Sequence, residues 1–152
     1  MTLVFGYGSN MDDAQMDMRC PDRVKVGNAV LRGHRLIFPR LSNRRECGVS
    51  SVEPADGHDV WGVVHRLNAV DLESLDRSEG YRADRSAERN GYNRVPITVE
   101  IGGVLVAVET YVAVATPNPP APNAMYLAHI RDGARQHGLP EDYQEFLAGL
   151  VF

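Results

Sequence analysis

The sequence LVFGYGSN at residues 3–10 is the stretch around which the rest of the chain is organised. Its apolar first half predicts a short buried strand. The two glycines then allow a tight turn and let a ligand approach the main chain closely. Ser9 and Asn10 are good helix N-caps, so a helix is expected to open at Met11. A strand, a glycine turn and a helix start together predict a site for a carboxylate, a phosphate or an oxyanion.

The same stretch fits none of the common glycine-rich templates, so a plain strand-to-helix turn is the alternative interpretation. It lacks the third glycine of a dinucleotide fingerprint, and no P-loop lysine follows it. Ser9 also lacks the glycine frame of a nucleophile elbow. The stretch therefore predicts a ligand-binding turn without naming the ligand.

Length and composition limit the class of protein. A chain of 152 residues with 43% hydrophobic residues favours one domain over residues 1–152 with a genuine core. No apolar run approaches the roughly 20 residues needed to span a bilayer, and no secretory leader is recognised, so no membrane partner is expected. The formal charge of -4 argues against nucleic acid as the main partner. Two cysteines imply no disulfide framework and suit a cytoplasmic location.

The remaining pattern is rich in strands. Strands are predicted over residues 24–38, 47–54 and 60–67. Pro54 predicts the end of a strand, and the Ala-Asp-Gly sequence after it predicts a turn. Gly62, in mid-strand, predicts a close approach by another group. Residues 95–101 and 104–116 flank Gly102-Gly103 and predict a hairpin. Helices are expected over residues 69–78 and 124–137 and after Pro140, which together predict a strongly curved or closed mixed sheet with helices around it.

Five arginines lie close together in sequence, and two roles are open for them. They are Arg32, Arg35, Arg40, Arg44 and Arg45. The first interpretation is a solvated face. The second is attraction of an acidic substrate, because clustered positive charge concentrates anions. The segment from Leu41 to Glu46 is expected to be a polar loop.

Glu79 stands out among the acidic residues. It follows Leu75 by one helical turn, so it should share the inward face of its helix, which Gly80 is expected to end. A structural carboxylate in such a place is commonly paired with arginine. A buried and unpaired carboxylate would instead have a raised pKa and could act as a general base.

Nothing in the sequence calls for a metal or another cofactor. The five histidines and two cysteines show none of the spacings of a zinc site, and no calcium loop is present. Cys20, beside Pro21, is interpreted as a buried thiol rather than a nucleophile. The expected cofactor complement is therefore none.

Five short motifs in the same order along nearly the whole chain resemble the gamma-glutamylcyclotransferase family. FGYGSN at residues 5–10 resembles its signature loop, and VWGVV at 60–64 resembles its central strand. LDRSEG at 75–80 is similar to its catalytic segment, and ETY at 109–111 is similar to a later strand. Tyr126 and the segment after it resemble the C-terminal helical part of the family.

The resemblance implies an α+β fold, namely a small distorted mixed β-barrel with flanking helices. It implies an enzyme that cyclises a small gamma-glutamyl substrate, releasing 5-oxoproline and an amino acid or amine. Glu79 would be the catalytic acid/base. The substrate-binding residues would be Val4, Phe5, Gly6, Tyr7, Gly8, Ser9 and Tyr126. The chain would be a monomer or a homodimer.

The leaving group stays open at this stage. The chain has Glu46-Cys47-Gly48 where the family often has an aromatic residue and two glycines, so the shape of one pocket wall is not defined. Alternative substrates are gamma-glutamyl-amines, glutathione or a gamma-glutamyl-protected metabolite. A non-catalytic module that binds a small acidic metabolite is the alternative from a different class.

Overall fold

A computed structural model describes all 152 residues, and its centre is a closed five-stranded barrel. The strands are β1 (Thr2–Gly6), β2 (Val24–Ser42), β3 (Cys47–Leu67), β4 (Tyr92–Ile101) and β5 (Val104–Ala113). Their order around the barrel is β1-β3-β2-β4-β5. The β1–β5 pair is parallel and closes the ring, whereas every other pair is antiparallel. The expected mixed barrel is therefore confirmed.

Four α-helices surround the barrel: α1 (Asp13–Arg19), α2 (Ala69–Glu79), α3 (Ala124–Gln136) and α4 (Glu141–Ala148). Short 3-10 turns occupy Ser9–Met11 and Ala87–Arg89. No helix combines the length and the apolar character needed to cross a membrane. The proline-rich segment from 115 to 123 has no regular secondary structure and carries the chain from β5 to α3.

The barrel interior and the helix interfaces use opposite faces of the same strands. Val60 and Val64 of β3 point into the barrel with Phe5 of β1, whereas Val63 packs outward against α3. Successive side chains of a strand point to opposite faces, which accounts for this arrangement. A third cluster joins β1 to α1 and α2 through Val4, among other residues.

Gly62 is required where the end of β1 pairs with β3. A Cβ at this position would overlap the carbonyl oxygen of Gly6 and lie 2.7 Å from the Phe5 ring. The absence of a side chain therefore lets the glycine turn after β1 lie directly on β3, as the sequence predicts.

Most strand bounds differ from the prediction. β4 begins at Tyr92 rather than at residue 95, and β5 ends at Ala113 rather than at residue 116. Residues 24–42 form one strand, and β3 runs without interruption from Cys47 to Leu67, so Pro54 does not end it. The predicted turn is a bulge within this strand instead. Pairing with β2 is interrupted at residues 55–58, where Gly57 has a φ of 76°, and it continues before and after them. Pro54 is exposed and lies beside this register shift, where a missing N–H is tolerated.

The start of α1 also differs from the expectation. Neither Ser9 nor Asn10 caps the helix, because both belong to the 3-10 turn that follows the glycines. Asp12 is the N-cap, and its side chain accepts a hydrogen bond from the Ala14 amide. The polar side chains of Ser9 and Asn10 are thereby left for other partners.

Candidate active site

A small hollow lies where the turn after β1 meets the end of α2. Its volume is about 30 Å³, close to the space taken by one water molecule. The lining comes from the signature loop, Glu79 and a group of hydroxyl-bearing side chains. These residues are Phe5, Gly6, Tyr7, Gly8, Ser9, Asn10, Ser50, Glu79, Tyr92, Tyr111 and Tyr126.

Helix α2 positions Glu79 at its last turn. Asn68 caps the beginning of this helix through the Asp71 amide, and Gly80 ends it in the left-handed conformation with a φ of 67°. Leu75, one turn before Glu79, is fully buried against β1 and α1. The Glu79 side chain therefore points inward, as its spacing from Leu75 predicts, and only 12% of it is exposed.

A single amide group holds the Glu79 carboxylate. Nδ2 of Asn10 donates a 2.6 Å hydrogen bond to Oε1 of Glu79. Nη1 of Arg19 lies 3.7 Å from the same oxygen, which is within ion-pair range but too long for a hydrogen bond. That Arg19 nitrogen donates instead to Oδ1 of Asn10 at 2.9 Å. Asn10 thus stands between the arginine and the carboxylate.

Burial and these neighbours act on the pKa of Glu79 in opposite directions. Burial disfavours the charged carboxylate and raises the pKa above its ordinary value. Arg19, the Asn10 hydrogen bond and the more distant Arg45 and Arg44 lower it, but burial is the larger effect. A carboxyl group with a raised pKa is suited to accept a proton and return it near neutral pH.

The glycine turn lines the hollow and contains main-chain donors without a partner. The backbone N–H groups of Tyr7 and Gly8 make no hydrogen bond within the protein. A Cβ at Gly8 would overlap the Ser50 hydroxyl, so only glycine allows the turn to lie this close to β3. Free N–H groups of this kind can hold a carboxylate or the oxyanion of a tetrahedral intermediate.

Ser50 anchors two of the tyrosines that line the hollow. The hydroxyl of Tyr126 accepts a hydrogen bond from the Ser50 amide and donates one to the Ser50 hydroxyl, both at 2.8 Å. Tyr92 donates to the Ser50 carbonyl at 2.6 Å. These bonds fix one wall of the hollow to β3.

Two further tyrosines connect β5 to the site. Tyr7 donates to the carbonyl of Tyr111 at 2.5 Å, and Tyr111 donates to Oδ1 of Asp76 at 2.6 Å. Asp76 precedes Glu79 by one turn of α2. The chain of hydrogen bonds therefore ties the signature loop, β5 and the end of α2 into one unit.

Most of the residues singled out from the sequence come together in this hollow. Val4 does not line it, because its side chain packs in the core against Met16, Leu67 and Leu75. Sequence reasoning missed Ser50, Tyr92, Tyr111 and Arg19, which are contributed by other elements. Asn10 was predicted to cap a helix, whereas the structure shows its side chain bonded to Glu79.

The arginine cluster divides into two groups. Arg32 pairs with Asp59 and Glu100 on the barrel surface, and Arg35 pairs with Glu53. The other three, Arg40, Arg44 and Arg45, line an outer pocket of about 370 Å³ that shares Ser9, Glu79, Tyr92 and Tyr126 with the hollow. The solvated-face interpretation therefore fits Arg32 and Arg35, whereas attraction of an acidic substrate by the other three stays a prediction.

The cysteines and histidines lie elsewhere. Cys20 is a free, fully buried thiol, and burial raises its pKa to about 12. Cys47 is also free and packs in the core between β3 and α3. No group of three or more histidine, cysteine, aspartate and glutamate side chains is arranged to hold a metal ion.

The fold and the site define a class of protein: a closed mixed barrel in which one buried carboxyl group faces a glycine turn. The comparison with known families agrees with this class. The sequence profile of the AIG2-like family matches residues 59–147, more than half of the chain. The chain belongs to this family.

Similar proteins carry that name. The chain is 30% identical to gamma-glutamylcyclotransferase from Mus musculus over 157 aligned positions, covering 97% of this chain and 78% of the mouse protein. It is 29% identical to gamma-glutamylcyclotransferase from Homo sapiens, with 97% and 78% coverage. A solved gamma-glutamyl cyclotransferase structure superposes with a TM-score of 0.87 at 28% identity, covering 99% of this chain and 88% of that one. The resemblance and the fold predicted from the sequence are confirmed.

Proposed function

We propose that this protein is a gamma-glutamylcyclotransferase that uses Glu79 as its general acid/base. The alpha-amine of a gamma-glutamyl substrate attacks the substrate's own gamma-carbonyl carbon, a new C–N bond closes a five-membered ring, and the original amide C–N bond breaks. The products are 5-oxoproline and an amino acid or amine. The relatives that share this fold and bear this name support the assignment.

The observation that carries the role of Glu79 is its buried carboxyl group beside the main-chain donors of the glycine turn. The substrate amine starts mostly protonated at neutral pH, since its pKa is about 8. Glu79 takes one proton from this ammonium group, which frees the amine to attack, and delivers a proton to the departing nitrogen. The ring nitrogen releases its second proton once the new C–N bond has formed, and the departing amine takes up one more, so that no net proton is gained or lost.

The glycine turn and the hollow supply the remaining contributions. Donors at Tyr7 and Gly8 stabilise the oxyanion of the tetrahedral intermediate or hold the alpha-carboxylate. Holding the substrate amine against the gamma-carbonyl accelerates ring closure by itself, because well-oriented intramolecular attack reaches effective molarities of about 10⁵–10⁸ M.

The substrate must extend beyond the hollow. A volume of about 30 Å³ is smaller than a gamma-glutamyl group, whereas the adjoining outer pocket has a volume typical of small-ligand sites. The two spaces share Glu79, so a substrate that spans both places its reacting centre at this carboxyl group.

A panel of gamma-glutamyl compounds tests the proposal. Purified protein is incubated with a gamma-glutamyl amino acid, a gamma-glutamyl-amine and glutathione, and 5-oxoproline is measured. Release of 5-oxoproline from at least one compound is the expected result. Its absence from all of them would contradict the proposal.

A non-catalytic module that binds a small acid is the second candidate. Arg19, at 3.7 Å from Glu79, favours it, because an ion pair can be a purely structural use of a buried carboxylate. Tight binding of a gamma-glutamyl compound without any product over a long incubation would support this candidate and exclude the first.

The setting of the protein is part of the same proposal. Two free cysteines suit a reducing compartment, so we place the protein in the cytoplasm. Its partner is the small-molecule substrate, without nucleic acid, membrane or cofactor, and it acts as a monomer or homodimer.

A further inference from the structure

We propose that the arginine rim, defined as Arg40, Arg44 and Arg45, selects substrates whose leaving group carries a carboxylate, and that Arg45 binds this carboxylate directly. The inference rests on the proposed function and assigns to named residues the choice of leaving group that the sequence left open.

The charge of the outer pocket supports a bound anion. Five arginines line this pocket, and Glu79 is its only acidic residue. Arg77 pairs with Glu73, and Arg19 lies near Glu79. The rim arginines form no ion pair with any acidic side chain, although the chain as a whole carries a net charge of -4. Positive charge is therefore concentrated and uncompensated at this pocket, which favours anions.

Arg45 is held in position by neutral groups. Its Nη2 donates to Oε1 of Gln15 at 2.7 Å and lies 3.5 Å from the Ser9 hydroxyl. Its guanidinium stacks over the Tyr126 ring, 5.0 Å from the centroid. A carboxylate forms stronger, charge-assisted and bidentate hydrogen bonds with a guanidinium than these neutral acceptors can. Arg45 is thus oriented before a ligand arrives. Its guanidinium has no carboxylate partner within the protein and can bind the carboxylate of a ligand.

The other rim residues add charge around Arg45. Nη1 of Arg40 donates to the carbonyl of Val114, which orients the group without neutralising it. Arg44 is exposed at the turn that joins β2 to β3, and its charge, like that of Arg45, acts on the Glu79 carboxyl. The rim therefore attracts an anion to the entrance from several sides.

The position of Arg45 fits the chemistry of an amino-acid leaving group. Arg45 contacts Ser9 and Tyr126, and both of these also line the hollow with Glu79. In a gamma-glutamyl amino acid, the carboxylate is two bonds from the nitrogen that departs. A carboxylate held at Arg45 thereby keeps the departing nitrogen near Glu79, whereas a simple amine offers Arg45 nothing to bind.

Two substrates that differ only in this carboxylate test the proposal. They are gamma-glutamyl-alanine and gamma-glutamyl-ethylamine, compared through kcat/KM for release of 5-oxoproline. We expect the wild type to prefer the alanine compound by about ten- to a hundredfold, the range for one charge-assisted hydrogen bond. In Arg45→Gln this preference should fall below about threefold, because kcat/KM falls for the alanine compound and stays unchanged for the ethylamine compound.

Control variants separate recognition from structure. Arg45→Lys keeps the charge and should retain part of the preference. Arg135→Gln removes the same charge from an exposed site that pairs with Asp132, and it should leave the preference intact. An unchanged preference in Arg45→Gln, or an equal loss on both substrates, would overturn the assignment of Arg45.

Calorimetric binding distinguishes failure of this inference from failure of the proposed function. If the wild type releases no 5-oxoproline from either compound, the proposed function fails. Tighter binding of gamma-glutamyl-alanine than of gamma-glutamyl-ethylamine, lost in Arg45→Gln, would still support the rim as a carboxylate site. Equal affinities for the two compounds, or no binding of either, would overturn it.

Discussion

The side-chain amide of Asn10 donates a 2.6 Å hydrogen bond to the carboxylate of Glu79. Its orientation is fixed by Arg19 and Gln15, which donate to the Asn10 oxygen at 2.9 and 3.1 Å. Because arginine can only donate, the Asn10 oxygen must face Arg19, and its NH₂ group must face Glu79. Asn10 therefore positions the carboxyl group and stabilises its ionised form.

Replacing Asn10 by alanine tests this positioning role. The hydrogen bond from Asn10 lowers the pKa of Glu79, so Asn10→Ala should raise that pKa further. The acidic limb of the pH profile of kcat/KM should then move to higher pH by roughly one unit. Gln144→Ala, which removes a side-chain amide from α4, serves as the control. An unmoved limb in Asn10→Ala would exclude the proposed coupling.

Glu79→Gln should leave the fold intact and can increase its stability. Burial raises the pKa of Glu79 in the folded state above that of the unfolded chain. The contribution of such a group to stability is therefore greatest at low pH and falls as pH rises through the folded pKa. At pH 7 the variant lacks the unfavourable burial of an ionised carboxylate. Its free energy of unfolding should therefore equal or exceed the wild-type value, by about 1.4 kcal/mol per unit of pKa elevation. Denaturant unfolding measures this difference, and a marked destabilisation would indicate that Glu79 serves mainly as a structural ion-pair partner.

The contact between Gly8 and Ser50 predicts a pair of coupled variants. Gly8→Ala places a methyl group on the Ser50 hydroxyl and should destabilise the protein by about 1–3 kcal/mol. In a Ser50→Ala background the obstructing oxygen is absent, so the same change should cost less. Denaturant unfolding of the four proteins gives the coupling energy. Gly149→Ala, where a Cβ meets its neighbours at 3.4 Å or more, is the matched control. Additive effects at positions 8 and 50 would contradict the proposed contact.

His65 predicts how stability depends on pH away from the site. It is 5% exposed on β3, and burial lowers its pKa to about 4. The unfolded chain therefore binds a proton near pH 6.5 that the folded protein excludes, so stability should fall as pH decreases from about 6.5 to about 4. His65→Gln should reduce this slope by up to about 1.4 kcal/mol per pH unit.

The exposed His58 provides the control for that measurement. His58→Gln makes the same substitution at an exposed position of β3 and serves as the matched variant. His137, whose pKa is also lowered chiefly by burial, keeps part of the slope in both variants. Equal slopes in the wild type and His65→Gln would contradict the assignment.

The sequence predicts those parts of the fold that depend on local patterns. The Gly102-Gly103 hairpin, the cap of α2 at Asn68 and its end at Gly80 all follow from residue types with strong conformational preferences. The strand end predicted at Pro54 is wrong, because a shift in the β2–β3 pairing next to this residue accommodates the proline within a long strand. Only the partner strand shows where such a bulge is accommodated.

The candidate site is predictable only in part, for the same reason. The signature loop and Glu79 are found from local motifs. Ser50 gives no local signal, because its importance comes from contacts with Tyr126 and Tyr92, which are 76 and 42 residues away in sequence. Arg19 looks like an ordinary basic residue at a helix end, and the packing of α1 against α2 brings it to Glu79. Long-range contacts of this kind are not encoded in residue spacing.

The most direct test is the release of 5-oxoproline from gamma-glutamyl-alanine by the wild type and Glu79→Gln, measured side by side with binding of the same compound. Removing a general acid/base should lower kcat by about 10²–10⁴-fold. Binding should remain within a few-fold of the wild type, because the glycine turn and the arginine rim are unchanged. A variant that releases 5-oxoproline at nearly the wild-type rate would contradict the assignment of Glu79 as the group that moves the proton.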